Sequence, residues 1–287
     1  MVALGGPPPE PGRPVVLAVH SMSTNHVAYR SVVRELGRRA PQMCLIAPDL
    51  RGRGGSANLP PPFGIAQHIV DLVAVMDHFG VERAILAGWS MGCSFATRFA
   101  LEHPDRIAAI VLLDGGLPMV TDREMPDPDP DEEEPPGLFD RFELHCSTVE
   151  EYLDYWRAHR ALPPPWDEDI EAFIKADYRR DENGVRCAAN MDALLRDVQD
   201  LIFDGQTWAS ISGVGVPVRL VRAERGMFDD DPVVPRQELG EFLRDNPHVS
   251  VEDVADVNHF TLVLGGGHGP RRVAATLAEM AGERGPQ

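Results

Sequence analysis

Apolar and polar positions along this chain come in blocks. Pro14-Val15-Val16-Leu17-Ala18-Val19-His20, Met43-Cys44-Leu45-Ile46-Ala47, Arg83-Ala84-Ile85-Leu86-Ala87 and Ile107-Ala108-Ala109-Ile110-Val111-Leu112-Leu113-Asp114 are short, almost unbroken apolar runs. Runs of this length without polar alternation are the pattern of strands covered on both faces. Between them the spacing turns helical, over Val27 to Leu36, Ile65 to Phe79 and Cys93 to Leu101. Ile65, Ile69, Leu72, Val73 and Met76 fall on one helical face, and Gly37 is placed to stop the first helix. The alternation breaks off after Gly116 and resumes with a strand at Val216 to Ala223. A helix at Arg236 to Arg244, a strand at Val249 to Val254 and a closing helix at Pro270 to Ala281 follow. The stretch between carries helical pieces at Val149 to Ala161, Glu168 to Tyr178 and Ala188 to Val198. The pattern predicts an α/β fold, a mostly parallel sheet with helices on both faces. Its core is 1–116 and 208–287, interrupted by a helical insertion over 117–207.

The sharpest chemical signal is Gly88-Trp89-Ser90-Met91-Gly92, between the apolar strand Arg83 to Ala87 and the helix that opens near Cys93. A turn this tight leaves no room for a side chain on either side of the serine, which accounts for both glycines. It exposes the Ser90 hydroxyl at the strand's C-terminal end, beside the amides and positive dipole end of a helix. His259 follows the last predicted strand, where a short loop carries its imidazole over Ser90. An ordinary histidine pKa of about 6.5 suits proton transfer near neutral pH. His20, at the end of the first strand, is its main rival; of the others, His103 precedes Pro104 at a helix end and His268 follows the glycine run Gly265-Gly266-Gly267.

Composition narrows the partners. Acidic residues outnumber basic ones 45 to 27, for a net charge of -18, which speaks against nucleic acid and anionic membranes. The four cysteines, Cys44, Cys93, Cys146 and Cys187, show no C-x-x-C pairing, so neither a zinc site nor a disulfide is expected. The Pro/Gly-rich lead from Met1 to Pro14 lacks the apolar region of a signal peptide, and no window is long enough to span a membrane. A cytoplasmic protein acting on a small molecule is the expectation; nothing in the sequence gives the oligomeric state. Thr121 to Pro136 holds eight acidic side chains and five prolines and cannot bury itself. The insertion or its end holds Trp156, Trp166, Trp208, Tyr152, Tyr155, Tyr178, Phe139, Phe142, Phe173 and Phe203. Part of this set packs the insertion's own core. The rest is expected to roof Ser90 and favour a bulky, fairly apolar substrate.

Three motifs together, Asp49-Leu50-Arg51-Gly52-Arg53-Gly54-Gly55-Ser56, Gly88-Trp89-Ser90-Met91-Gly92 and Val257-Asn258-His259-Phe260-Thr261, resemble the α/β-hydrolase family in order and spacing. The resemblance covers the core from about Pro14 to the C-terminal helix, and the insertion is similar to the helical cap many members carry. It implies a nucleophile–acid–histidine triad, here Ser90 and His259 with an acid, an oxyanion hole of backbone amides, and no cofactor or metal. One oxyanion amide is that of Met91, after the nucleophile. The other comes from the loop after the first strand, where the family has His-Gly-x and this chain has His20-Ser21-Met22. The Met22 amide is the candidate, with Ser21 beside it. Trp89, Ser21 and Trp156 are candidates for the substrate pocket, Trp89 equally for packing. The Asp49 to Ser56 turn is expected to be structural. Family members often begin with an extra hairpin, and its apparent lack predicts a sheet short of one or two edge strands.

The acid does not follow at once. The family's usual position, after the strand ending at Ala223, is Gly226. Asp114 stands 24 residues past Ser90, followed by Gly115-Gly116, where some lactonases and dehalogenases in the family place theirs. Asp229, Asp230 and Asp231 are alternatives, Glu224 a weaker one. A serine nucleophile implies acyl transfer from an ester, lactone or thioester, whereas an aspartate there marks the family's dehalogenases and epoxide hydrolases. Carbon–carbon hydrolysis of a diketone uses the same triad. A non-hydrolytic ligand-binding protein or cyclase would need only the pocket, and Gly226 and Ser21 keep that reading open.

Overall fold

The computed structural model describes residues 2–117, 140–162, 164–203 and 211–282. Its strands, in chain order, are β1 (Val2–Gly5), β2 (Val15–Val19), β3 (Cys44–Pro48), β4 (Ala84–Trp89), β5 (Ile107–Leu113), β6 (Tyr178–Asp181), β7 (Gly184–Cys187), β8 (Val218–Ala223) and β9 (Val249–Val254). Seven of them form one sheet in the order β1-β3-β2-β4-β5-β8-β9, with β1 antiparallel and the rest parallel. The apolar runs explain this arrangement. On β2, Val16 and Ala18 pack on one face of the sheet and Val15, Leu17 and Val19 on the other, all buried. A strand buried on both sides needs helices above and below it.

Those helices are α1 (Arg30–Arg39) and α8 (His268–Gly282) on one face, with Val32, Leu36, Val273 and Leu277 in the core. On the other face lie α2 (Ile65–His78), α3 (Met91–Glu102) and α7 (Arg236–Asp245), which contribute Ile69, Leu72, Met76, Phe95, Phe99, Leu239 and Phe242. Gly37 does not end α1. The helix continues to Arg39 and closes with the Ala40 N–H on the Leu36 carbonyl at 2.7 Å. The expectation of a missing edge holds only in part, because one edge strand stands where a hairpin was looked for. Val2–Gly5 pairs antiparallel with β3, Leu4 opposite Ile46 and Gly5 opposite Leu45. The apolar residues ahead of the Pro/Gly run suffice for a short edge strand, and that run becomes the turn into β2.

The insertion carries α4 (Val149–Ala158), α5 (Glu168–Asp177) and α6 (Met191–Phe203). It also holds the hairpin β6–β7, joined to Cys146 through a bridge with Val185. The acidic segment Thr121 to Pro136 lies outside the described residues, as do Phe139 and Trp208. Acidic side chains fasten the insertion to the core. Asp169, near the start of α5, accepts from Arg30 Nε at 2.7 Å and Ser31 Oγ at 2.5 Å, and pairs with Arg34. Asp200 on α6 accepts the Ile65 N–H at the start of α2, at 2.8 Å. Among the described residues, no helix is long and apolar enough to cross a membrane.

Two glycines differ sharply in what they permit. A Cβ on Gly88 would lie 2.2 Å from the Gly92 carbonyl oxygen, whereas one on Gly37 would meet nothing within 4 Å. Gly88→Ala should lower stability by at least about 1–3 kcal/mol through overpacking against backbone. Gly37→Ala, inside a helix, should raise it by about 0.5–1 kcal/mol. Urea midpoints at unchanged slope would measure both.

Candidate active site

Parallel register brings the ends of four strands to one edge. Val19 of β2 lies opposite Gly88 of β4, Trp89 opposite Leu113 of β5, and Leu113 opposite Val221 of β8. The residues that follow, Ser21, Ser90, Asp114 and Glu224, therefore emerge side by side. Ser90 joins β4 to α3 with no loop between, at φ 56 and ψ -119, a conformation that costs a non-glycine residue on the order of 1–3 kcal/mol. It is held there by its N–H on the Leu113 carbonyl at 2.9 Å and its carbonyl under the Cys93 N–H at 2.9 Å. Gly92 lets the helix seat on the end of β2, since a Cβ there would lie 2.2 Å from the Val19 carbonyl oxygen. Ser90 is half-buried, and the Met91 and Gly92 amides that open α3 have no intrahelical acceptor.

His259 and Asp114 meet. Nδ1 of His259 lies 2.7 Å from Oδ2 of Asp114, with both side chains buried. The other oxygen of Asp114 accepts the Ala223 N–H at 3.0 Å. Asp114 adopts φ 48, a left-handed turn that swings its carboxylate across the strand ends. Nδ1 thus bears the proton and donates it, and Nε2 of His259, buried and without a hydrogen-bond partner among the described residues, is left with its lone pair free. The indole N–H of Trp89 donates to the His259 carbonyl at 3.2 Å, with the two rings 5.5 Å apart, which fixes the imidazole beside the residue that precedes Ser90. The Gly226 carbonyl accepts the His259 N–H at 3.3 Å. A Cβ at position 226 would lie 2.1 Å from the Asp231 carbonyl oxygen and 2.2 Å from Asp230 Oδ1, so the neighbouring turn fills the space a side-chain acid would need.

The other acidic candidates look elsewhere. Asp229 Oδ1 accepts from Asn258 Nδ2 at 3.2 Å, and Asp230 accepts the Phe228 N–H at 3.1 Å. Glu224 accepts the Asp256 N–H at 2.7 Å. Asn258 in turn caps the turn after His259 through its Oδ1, which accepts the Phe260 and Thr261 amides at 3.0 and 2.8 Å. Asp229 therefore supports the histidine loop at one remove.

The loop after β2 is rigid without glycine. Ser21 does not adopt a positive φ. His20, fully buried, accepts the Leu50 N–H on Nε2 at 3.0 Å and donates from Nδ1 to the Ser21 carbonyl at 2.8 Å. Burial lowers its pKa to about 4, against the opposing pull of Asp49, so the ring stays neutral and keeps that tautomer. His20 is thus a strut of the loop and no rival base. Asp49 acts structurally too, accepting from His26 N and Nδ1 at 2.8 Å each and from the Gly55 N–H at 2.8 Å. Burial pushes its carboxyl up, but these His26 bonds outweigh it and hold the group below the usual range.

A sequence profile of the α/β hydrolase fold matches residues 14–265. The chain belongs to this family. Its curated relatives include a putative carbamate hydrolase of Caulobacter vibrioides, 33% identical over 37% of this chain and 39% of that protein. Another is epoxide hydrolase 3 of Siraitia grosvenorii, 39% identical over 35% of this chain and 32% of that one. The chain thus aligns with well under half the length of these relatives. Across the whole fold, it superposes on the thioesterase domain of the curacin biosynthetic pathway with a TM-score of 0.73 at 18% identity, covering 96% of this chain and 94% of the other. E-2-(acetamidomethylene)succinate hydrolase gives 0.70 at 17% identity, covering 98% and 93%.

Within this α/β hydrolase, two expected pocket residues are misplaced. Trp89 has no exposed surface; it packs in the core and serves His259 through its indole N–H. Trp156 is 1% exposed and packs on Phe173, His159 and the Arg141 guanidinium inside the insertion. With Tyr152 and Phe173 also buried there, and Tyr155, Trp166 and Tyr178 packed against the same cluster, most of the described aromatic set forms a core and not a roof. Phe203's side chain is outside what is described. Buried His20 and Asn258 carried roles the motifs concealed, because each acts through hydrogen bonds to backbone that spacing does not display. Among the described residues no cluster of three or more His, Cys, Asp or Glu side chains could hold a metal, and the four cysteines are free and buried.

His20 makes a pH signature. Between its folded pKa of about 4 and its ordinary 6.5, unfolding takes up a proton. Stability from this group is complete above pH 6.5 and lost as pH falls toward 4, by up to about 1.4 kcal/mol per pH unit. Urea unfolding at pH 6.5 and 4.5 should show wild type losing more stability than His20→Asn. Equal losses would mean that His20 is protonated inside the fold.

Proposed function

We propose that this α/β hydrolase is a serine hydrolase that cleaves a carboxylic ester, lactone or thioester of a small molecule through an acyl-enzyme on Ser90. The observation that carries this reading is the 2.7 Å contact between His259 and Asp114, at a strand end paired with the one that presents a serine held at φ 56. His259 Nε2 takes the Ser90 proton as the oxygen attacks the carbonyl carbon, and Asp114 keeps the proton on Nδ1 and stabilises the resulting imidazolium. The amides of Met22 and Met91 receive the oxyanion. His259 then protonates the leaving group, and water repeats the sequence to free the acid. The two features that favoured a non-hydrolytic scaffold lose weight: Gly226 is replaced by Asp114, and Ser21 needs no glycine backbone. The names of similar structures, a thioesterase domain and E-2-(acetamidomethylene)succinate hydrolase among them, are consistent with acyl transfer without choosing the acyl group. A net charge of -18 favours a free small molecule over nucleic acid or an anionic membrane, and free buried thiols favour a reducing, cytoplasmic setting.

A fluorophosphonate should form one adduct, on Ser90. Ser90→Ala should abolish the adduct and lower p-nitrophenyl ester turnover by on the order of 10⁴–10⁶ in kcat. Asp114→Asn should cost about 10⁴, while Asp229→Asn stays near wild type. Labelling away from Ser90, or full activity in Asp114→Asn, would refute the triad. Turnover of a diketone without any ester or lactone turnover would replace acyl transfer by carbon–carbon hydrolysis.

A further inference from the structure

Three successive carbonyls in the loop after β2 are each captured by a separate group. That of Ser21 accepts from His20 Nδ1 at 2.8 Å, Thr24 Oγ1 at 3.1 Å and the Thr24 N–H at 3.2 Å. That of Met22 accepts from Arg53 Nε at 2.8 Å. That of Ser23 accepts from the Arg141 guanidinium. In a trans peptide the C=O of one residue and the N–H of the next point in opposite directions, so capturing the carbonyl aims the amide. The plane before the Met22 Cα, which carries the Met22 N–H, is held by His20 and Thr24. The plane after it is held by Arg53, and the next by Arg141.

Arg53 and Arg141 are 0% and 1% exposed. A loop carbonyl needs one neutral donor, and burying a guanidinium costs several kcal/mol unless an anion faces it. Both anions come from the insertion. Asp197 on α6 lies 2.5 Å from Arg53 Nη2 and also faces His68 Nε2 at 3.0 and 3.1 Å, all without exposure. Asp177 at the end of α5 lies 3.1 Å from Arg141 Nε and accepts from Tyr152 Oη at 2.6 Å. Arg141 itself belongs to the insertion, next to the Phe142 and Trp156 rings.

We propose that Arg53 and Arg141 are positioning residues for the oxyanion-binding loop, and that the insertion, through Asp197 and Asp177, braces the two peptide planes that follow the one carrying the Met22 amide and so keeps that amide from turning away. This rests on the serine-hydrolase reading above. The insertion is then a working part of acyl transfer and more than a cover over the pocket. An amide aimed at a developing oxyanion acts on the transition state, so its misalignment lowers kcat and leaves KM in place.

Arg53→Lys and Arg141→Lys in the full chain test this, because an ammonium keeps a charge opposite the aspartate but cannot span aspartate and loop carbonyl together. For each, kcat with p-nitrophenyl butyrate should fall about 10- to 100-fold with KM within about threefold. Affinity for an aryl trifluoromethyl ketone, which forms an oxyanion on the serine, should fall by the same factor. The paired variant Arg53→Met with Asp197→Leu removes both charges of one pair, guards against a folding failure of the lysine variants, and should show the same loss. A lowered Tm with kcat and ketone affinity within twofold of wild type would show arginines that only hold the insertion down, and would overturn the proposal. The same chain must label on Ser90 with fluorophosphonate. No adduct in wild type overturns the serine-hydrolase reading and the positioning role together, whereas an adduct with unaltered variants overturns the positioning role alone.

Discussion

The turn at Ser90 is the constraint on which the rest of the molecule depends. A strand passes into a helix with one residue between them, and that residue takes a backbone conformation that side-chain-bearing residues avoid. Such strain persists only where surrounding contacts over-determine it. Here they do so from three sides: β5 holds the Ser90 amide, α3 holds its carbonyl, and the end of β2 packs flush against Gly92. The parallel sheet thus locks Ser90 and also sets the spacing at which Asp114 and the β2 loop arrive beside it.

Around that point, the site is assembled mainly by side chains that bind backbone. Trp89 grips the His259 carbonyl, Asn258 caps the following turn, His20 and Arg53 take loop carbonyls, and Asp49 gathers amides from two turns. Each is buried, and each satisfies a main-chain group that helix or sheet pairing leaves open. Buried polar networks of this kind favour one loop conformation over its neighbours, and reactive geometry requires that selectivity.

Much of this was legible in the sequence. The unbroken apolar runs gave the parallel strands, glycine on both sides of Ser90 gave the turn, and Asp114 stood out by its place 24 residues past Ser90. What stayed hidden shares a physical cause. Val2–Gly5 is an edge strand too short to announce itself beside a proline-rich run. The β6–β7 hairpin is charged on its exposed face, and its turn, Glu182-Asn183, lacks the glycine in second place that marks a tight hairpin. Tyr152 and Trp156, one helical turn apart, pattern equally well as a roof or as a core, and only their burial distinguishes the two. Arg53 and Arg141 were the least accessible: arginine is normally a surface residue, and the aspartates that make their burial tolerable stand 144 and 36 positions further on.

The acid's place on β5 has a consequence for the order in which the site comes together. The β2 loop, Ser90 and Asp114 all precede residue 117, and His259 alone arrives with the last strand and helix. On the reading proposed above, the nucleophile and its acid are therefore synthesised before the base, and Ser90 gains a partner for its proton only when the C-terminal segment docks on the finished sheet.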